Sequence, residues 1–77
     1  MVAIGEKVKQ NGYELEVKRI RKLSDLVTEI GYVIRRGNRE LTDGTIYVCE
    51  GENPVTKLNE TLEAIINAIK RISRRTT

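Results

Sequence analysis

The sequence predicts an α+β domain, with an antiparallel three- to four-stranded sheet followed by one C-terminal amphipathic helix packed across one face. Three observations predict it. Asn53-Pro54 opens a stretch in which Val55, Leu58, Leu62, Ile65, Ile66, Ile69 and Ile72 recur at steps of three and four, the spacing of one dry helical face. Residues 13–21 and 26–35 instead alternate apolar and polar side chains, the period of a half-buried strand. Between Gln10 and Tyr13, Asn11-Gly12 supplies two residues that tolerate positive φ, as a tight hairpin turn requires.

The first arm of that hairpin spans Val2 to Gln10, with Val2, Ile4 and Val8 in one phase and Gly5 interrupting it. The second runs from Tyr13 to Arg21 and sets Tyr13, Leu15 and Val17 on one face. Residues 26–35 place Leu26, Thr28, Ile30, Tyr32 and Ile34 together, and their β-branched and aromatic content favours a strand. Leu23, Leu26, Val27 and Ile30 also fit helical spacing, with Ser24 as cap and Gly31 as stop; the uninterrupted alternation through Tyr32, Val33 and Ile34 favours the strand.

Antiparallel pairing through a loop of residues 22–25 sets Tyr13 against Ile34, Leu15 against Tyr32 and Val17 against Ile30, with Lys18 meeting Glu29 and Ile20 meeting Val27 behind. Gly37-Asn38 and Asp43-Gly44 read as two turns around Arg39–Thr42, after which Thr45 to Glu50 forms the last strand. Gly51 ends it, Asn53 caps the helix and Pro54 takes the first helical position, where its missing N–H costs nothing. The chain divides into a sheet region (1–52), a helix (53–73) and a basic tail (74–77) within one domain, residues 1–77.

A chain of 77 residues buries only about 60–65% of its unfolded surface, so association with a second copy is expected to help it. Cys49 is the only cysteine, which excludes an internal disulfide and fits a reducing compartment; the expected location is the cytoplasm. No apolar run approaches the roughly 20 residues that cross a bilayer, and no membrane partner is expected.

The chain carries no histidine, which removes Ser-His-Asp and Cys-His catalysis and histidine-ligated zinc. Its six glycines fit no phosphate-cradling motif. Glu16-Val17-Lys18 resembles the acidic-x-Lys half-motif of metal-dependent nucleases, but no aspartate precedes Asp25 to complete it, so it reads as part of a solvated face. Cys49 lacks a neighbouring cation and reads as a small, buried or half-buried strand residue. No enzymatic activity, metal or cofactor is expected.

Net charge is +3, unevenly spread: residues 1–39 carry nine basic and five acidic groups, residues 40–63 one and six, and residues 64–77 four and none. The basic residues form three groups: Lys18, Arg19, Arg21 and Lys22; Arg35, Arg36 and Arg39; and Lys70, Arg71, Arg74 and Arg75. Nucleic-acid binding is the favoured function, with Lys and Arg on phosphates and Tyr13, Tyr32 or Tyr47 available for stacking. In outline the sheet-plus-helix plan is similar to the arm-binding domains of phage integrases, without a shared motif. The second reading is a protein-interaction module, an adaptor, inhibitor or small subunit, using an uncovered sheet face of Ile20, Val27, Val33, Tyr47 and Cys49; homodimerisation through it is expected.

Overall fold

The computed structural model describes the backbone of residues 2–75 and the side chains of residues 2–73. Strands β1 (Lys7–Gln10), β2 (Tyr13–Lys22), β3 (Val27–Arg36) and β4 (Arg39–Cys49) form one antiparallel sheet in the order β1-β2-β3-β4, followed by helix α1 (Pro54–Arg75). The fold class is the one the patterning predicts. None of the described helices is long and apolar enough to cross a membrane.

Turn chemistry sets the hairpins. Asn11 and Gly12 both have positive φ (52° and 84°), and Gly37, at 63°, begins the two-residue turn from β3 to β4. The first arm is shorter than its alternation implies, because Gly5, at φ 92°, turns the chain before β1 begins. Val2 folds into the core while Ile4 points to solvent. Gly5 N–H still donates to the Val17 carbonyl (2.8 Å), and Val17 N–H to that of Glu6 (2.9 Å), which holds this segment along β2.

Residues 27–36 are strand, and the short helix is not formed. The β2–β3 register differs from the expected one: Leu15 faces Ile34, Val17 faces Tyr32 and Tyr13 faces Arg36, a slip of two residues that preserves sidedness. The loop occupies residues 23–26, closed by Leu23 and Ser24 N–H groups donating to the Val27 carbonyl. A bulge between Val17 and Arg19 then reverses parity, so Ile20 faces Ile30 on the helix side, and Glu29 faces Arg21 instead of Lys18.

β4 runs unbroken from Arg39 to Cys49, so Asp43-Gly44 is no turn. Gly44 is instead a packing residue: a Cβ there would lie 2.5 Å from the Tyr32 hydroxyl oxygen, so the ring crosses the bare backbone. A second irregularity, between Ile34 and Arg35, shifts the β3–β4 register near Leu41.

Helix α1 begins as predicted. Thr56 N–H donates to Asn53 Oδ1 (3.1 Å), and Gly51, at φ 89°, turns the chain into the cap. Asn53→Ala is expected to lower stability by about 1 kcal/mol, read as a shift in the urea midpoint at unchanged m-value.

The helix packs against β1 and β2, and Gln10 Nε2 donates to the Asn59 carbonyl (3.0 Å) across that seam. Leu58, Leu62 and Ile66 are buried with Tyr13, Leu15, Val17, Ile30, Ile34 and Val48, whereas Ile65 and Ile69 are half-buried. The stripe is not buried throughout: Val55 and Ile72 at its ends are exposed, Ile72 at 63%, because they flank the part of the helix centred on the sheet.

Candidate nucleic-acid interface

The face of the sheet opposite the helix is charged rather than apolar. Lys7 and Lys9 on β1 reach Glu14 at 3.9 and 3.8 Å. Arg35 donates to Glu16, and Lys18 lies 3.8 Å from the same carboxylate. Arg19 and Arg21 converge on Glu29 at 3.8 and 3.5 Å, and Glu29 is only 9% exposed beneath them. Arg19 also spans Gly31, where a Cβ would stand 2.8 Å from its guanidinium carbon, and reaches the Thr45 hydroxyl (3.4 Å).

Of the expected apolar face, Ile20 lies on the helix side because of the bulge. Val33 is on the open face but 6% exposed, in a shallow depression it shares with Lys18, Arg19 and Asp43, whose long basic neighbours contribute aliphatic stems. Val27 is half-buried. Of the five, Tyr47 and Cys49 are open to solvent, so Cys49 is exposed rather than buried or half-buried. Its N–H donates to Glu52 Oε1 (2.7 Å), and Lys57 bonds both Glu52 and the Tyr47 carbonyl, tying the helix start to the strand end. Those donors hold the Glu52 carboxyl below the ordinary range.

The hydrogen bond from Arg35 likewise holds the Glu16 carboxyl below the ordinary carboxylate range, partial desolvation opposing it and Lys18 assisting. Glu16 and Lys18 are therefore members of an ion-pair cluster, and among the described residues no group of three carboxylate, cysteine or histidine side chains is placed to hold a metal. The unfolded chain takes up this proton first as pH falls. The pair's contribution is therefore complete above the ordinary glutamate pKa of about 4.3 and is lost as pH drops through the folded value. Urea midpoints measured on either side of that range are expected to fall less for Glu16→Gln than for the parent.

The three basic groups are treated differently. In the first, Lys18, Arg19 and Arg21 are engaged by carboxylates, leaving Lys22 exposed beside the loop. The second stands at the other end of the β2–β3 ladder. There Arg36 and Arg39 face one another across the Gly37-Asn38 turn, on the helix side. Arg36 lies over the Tyr13 ring, 4.9 Å from its centroid, and its Nη1 donates to the Tyr13 hydroxyl (3.1 Å).

That end of the sheet is where the third group arrives. Arg36, Arg39 and Leu41 line a groove of about 650 Å³ together with Ile65, Ile69 and Ile72 from the last turns of α1, so exposed Lys70 and Arg71 stand at the same end. Neither Arg36, Arg39, Lys70 nor Arg71 has a carboxylate partner among the described residues. The side chains of Arg74 and Arg75 lie outside the described residues.

The sequence separates Arg39 from Lys70 by thirty-one positions, and spacing alone does not reveal that they lie at one end; the direction in which α1 crosses the sheet decides it. Of the tyrosines, Tyr13 is buried beneath Arg36 and Tyr32 is spent on Gly44, leaving Tyr47, at 51% exposure, with an open ring. Burial, with Asp43 nearby, raises the pKa of the Tyr32 hydroxyl.

Compared with protein-family models, curated proteins and solved structures, the chain matches none.

Proposed function

We propose that this protein is a non-enzymatic nucleic-acid-binding module whose phosphate contacts come from Arg36, Arg39, Lys70 and Arg71. One observation carries the reading: Arg36 and Arg39 line a groove with the last turns of the helix, at whose end Lys70 and Arg71 are exposed, and none of the four has a carboxylate partner among the described residues. Lysine and arginine so placed gain by displacing counterions from a polyanion, and arginine adds a planar fork suited to phosphate oxygens. Lys18, Arg19 and Arg21 contribute less, since phosphate must compete with Glu16 and Glu29 for them.

The test is binding of labelled duplex and single-stranded DNA across a salt series. Affinity is expected to fall linearly on a double-logarithmic plot, by about 0.9 in slope per phosphate neutralised on duplex. No binding at low salt rejects the reading.

The groove beside Arg36 and Arg39 supports a second reading, an adaptor or inhibitor that takes an acidic, apolar segment of another protein. Such binding would depend on Ile69 and Ile72 as well as on the arginines, and would persist at salt that releases nucleic acid.

A further inference from the structure

The two edges of the sheet are built on different terms. β1 is four residues long, carries Lys7 and Lys9, and lies under the helix. Short length, lysine and a covering element are the devices that keep an edge from recruiting another strand. β4 has the first two of these nowhere and the third only at its end. It is the longest strand, eleven residues, with neither lysine nor proline and most of its side chains exposed, and only near Tyr47 and Cys49 do Lys57 and Glu52 occupy its backbone groups.

We infer that β4 pairs antiparallel with β4 of a second copy, joining two sheets into one of eight strands about a two-fold axis near Gly44. A second copy fits for three reasons. Sidedness is kept when residues of like parity face each other, which puts the dyad on a residue. With the dyad on Gly44 the regular stretch 42–46, between the irregularity at Leu41 and the bonded end at Tyr47, pairs with its own copy; with it on Thr45, Asp43 faces Tyr47. Neither arrangement sets like charges opposite, whereas a dyad on Asp43 does, and is disfavoured.

The third reason is area. The chain is flat and elongated, 47 × 22 × 16 Å, and exposes 5446 Å². A folded monomer of 8.8 kDa is expected to expose about 4,800 Å². The excess, roughly 650 Å², is close to what each partner buries in a small stable dimer, about 600–800 Å².

The pairing has a consequence for the basic ends, and this part rests on the nucleic-acid reading above. Arg39 stands five or six residues from the dyad, so the two Arg39 residues are about 33–40 Å apart at roughly 3.3 Å per residue. One turn of B-form DNA is about 34–36 Å. The dimer thus presents two sets of Arg36, Arg39, Lys70 and Arg71 at the repeat of a duplex lying along its strands.

Sedimentation equilibrium without nucleic acid tests the pairing. The parent is expected at twice 8.8 kDa, and Thr45→Lys with Tyr47→Lys, which places lysines beside the dyad, at the monomer mass with unchanged circular dichroism. A parent that stays monomeric at near-millimolar concentration overturns the pairing, as does a well-folded double variant that stays dimeric. Should that variant unfold, the milder Thr45→Lys alone is expected to weaken dimerisation at least tenfold, and an unchanged dimerisation constant overturns the proposal.

Duplex length tests the spacing. A duplex of about 20 base pairs should bind the dimer at least tenfold more tightly than one of about 8, beyond their ratio of sites, since only the longer offers two footholds a turn apart. A dimer that shows no such step overturns the spacing. A dimer that binds no nucleic acid leaves the pairing standing and rejects the reading under it.

Discussion

Leu62→Ala is expected to lower stability by about 2–5 kcal/mol. Leu62 is fully buried at the centre of the α1 stripe, flanked by Leu58 and Ile66, and belongs to the same core as Leu15, Val17 and Ile34. Removing three carbons there forfeits transfer free energy and leaves a void that a fixed helix over a hydrogen-bonded sheet closes poorly. A domain of 77 residues has a total stability of only roughly 4–12 kcal/mol, so the variant is expected to be partly unfolded at 37 °C. Denaturation followed by circular dichroism checks this, with Ile72→Ala as the contrast. Ile72 is chemically similar but largely exposed, and its truncation should cost well under 1 kcal/mol. Equal losses at both positions would contradict the packing described.

The second large effect is on binding. Arg36→Ala combined with Arg39→Ala is expected to weaken duplex binding at least about a hundredfold at low salt, at about 1.5 kcal/mol or more for each charge-assisted hydrogen bond removed. The salt slope should become shallower by about 1.8, two phosphates at 0.9 each. Lys18→Ala with Arg21→Ala removes as much charge from the opposite group, yet those side chains already serve Glu16 and Glu29. That pair should change the slope by less than one phosphate's share. Equal changes would mean that net charge, not the meeting of the helix end with the β3–β4 turn, governs binding. Arg36→Ala also uncovers the Tyr13 ring, so urea midpoints measured alongside separate weaker affinity from weaker folding.

Whatever depended on one residue's own backbone preference was legible in the sequence. Asn11-Gly12 turns because both positions need positive φ, and Asn53-Pro54 starts a helix because each fills a role at that terminus. Alternation in residues 13–17 and 27–34 located β2 and β3 because successive side chains of a strand point to opposite faces, of which one is packed. What failed depended on a neighbour in space. Gly44 reads as half of a turn until Tyr32 is seen lying across it. Ile20 changes face because β2 holds one extra residue near Lys18, a count that no local preference announces.

The candidate site divides the same way. Every basic residue was nameable, but which were already neutralised was not, since Glu29 lies under Arg19 and Arg21 only in the register with the bulge. The apolar face was misjudged because five side chains were counted without the arginine and lysine stems that share their surface.

The seam between α1 and β1 also bears on the order in which the chain assembles. Each strand pairs with its neighbour in sequence, so the meander closes only short loops, while the bond from Gln10 to Asn59 joins residues 49 apart. Closing the chain between those long-separated segments is entropically the costlier step, so helix docking is expected to come late and that bond to be largely unmade at the rate-limiting barrier. Weakening the seam would thus shorten the lifetime of the native state while leaving its rate of formation almost untouched.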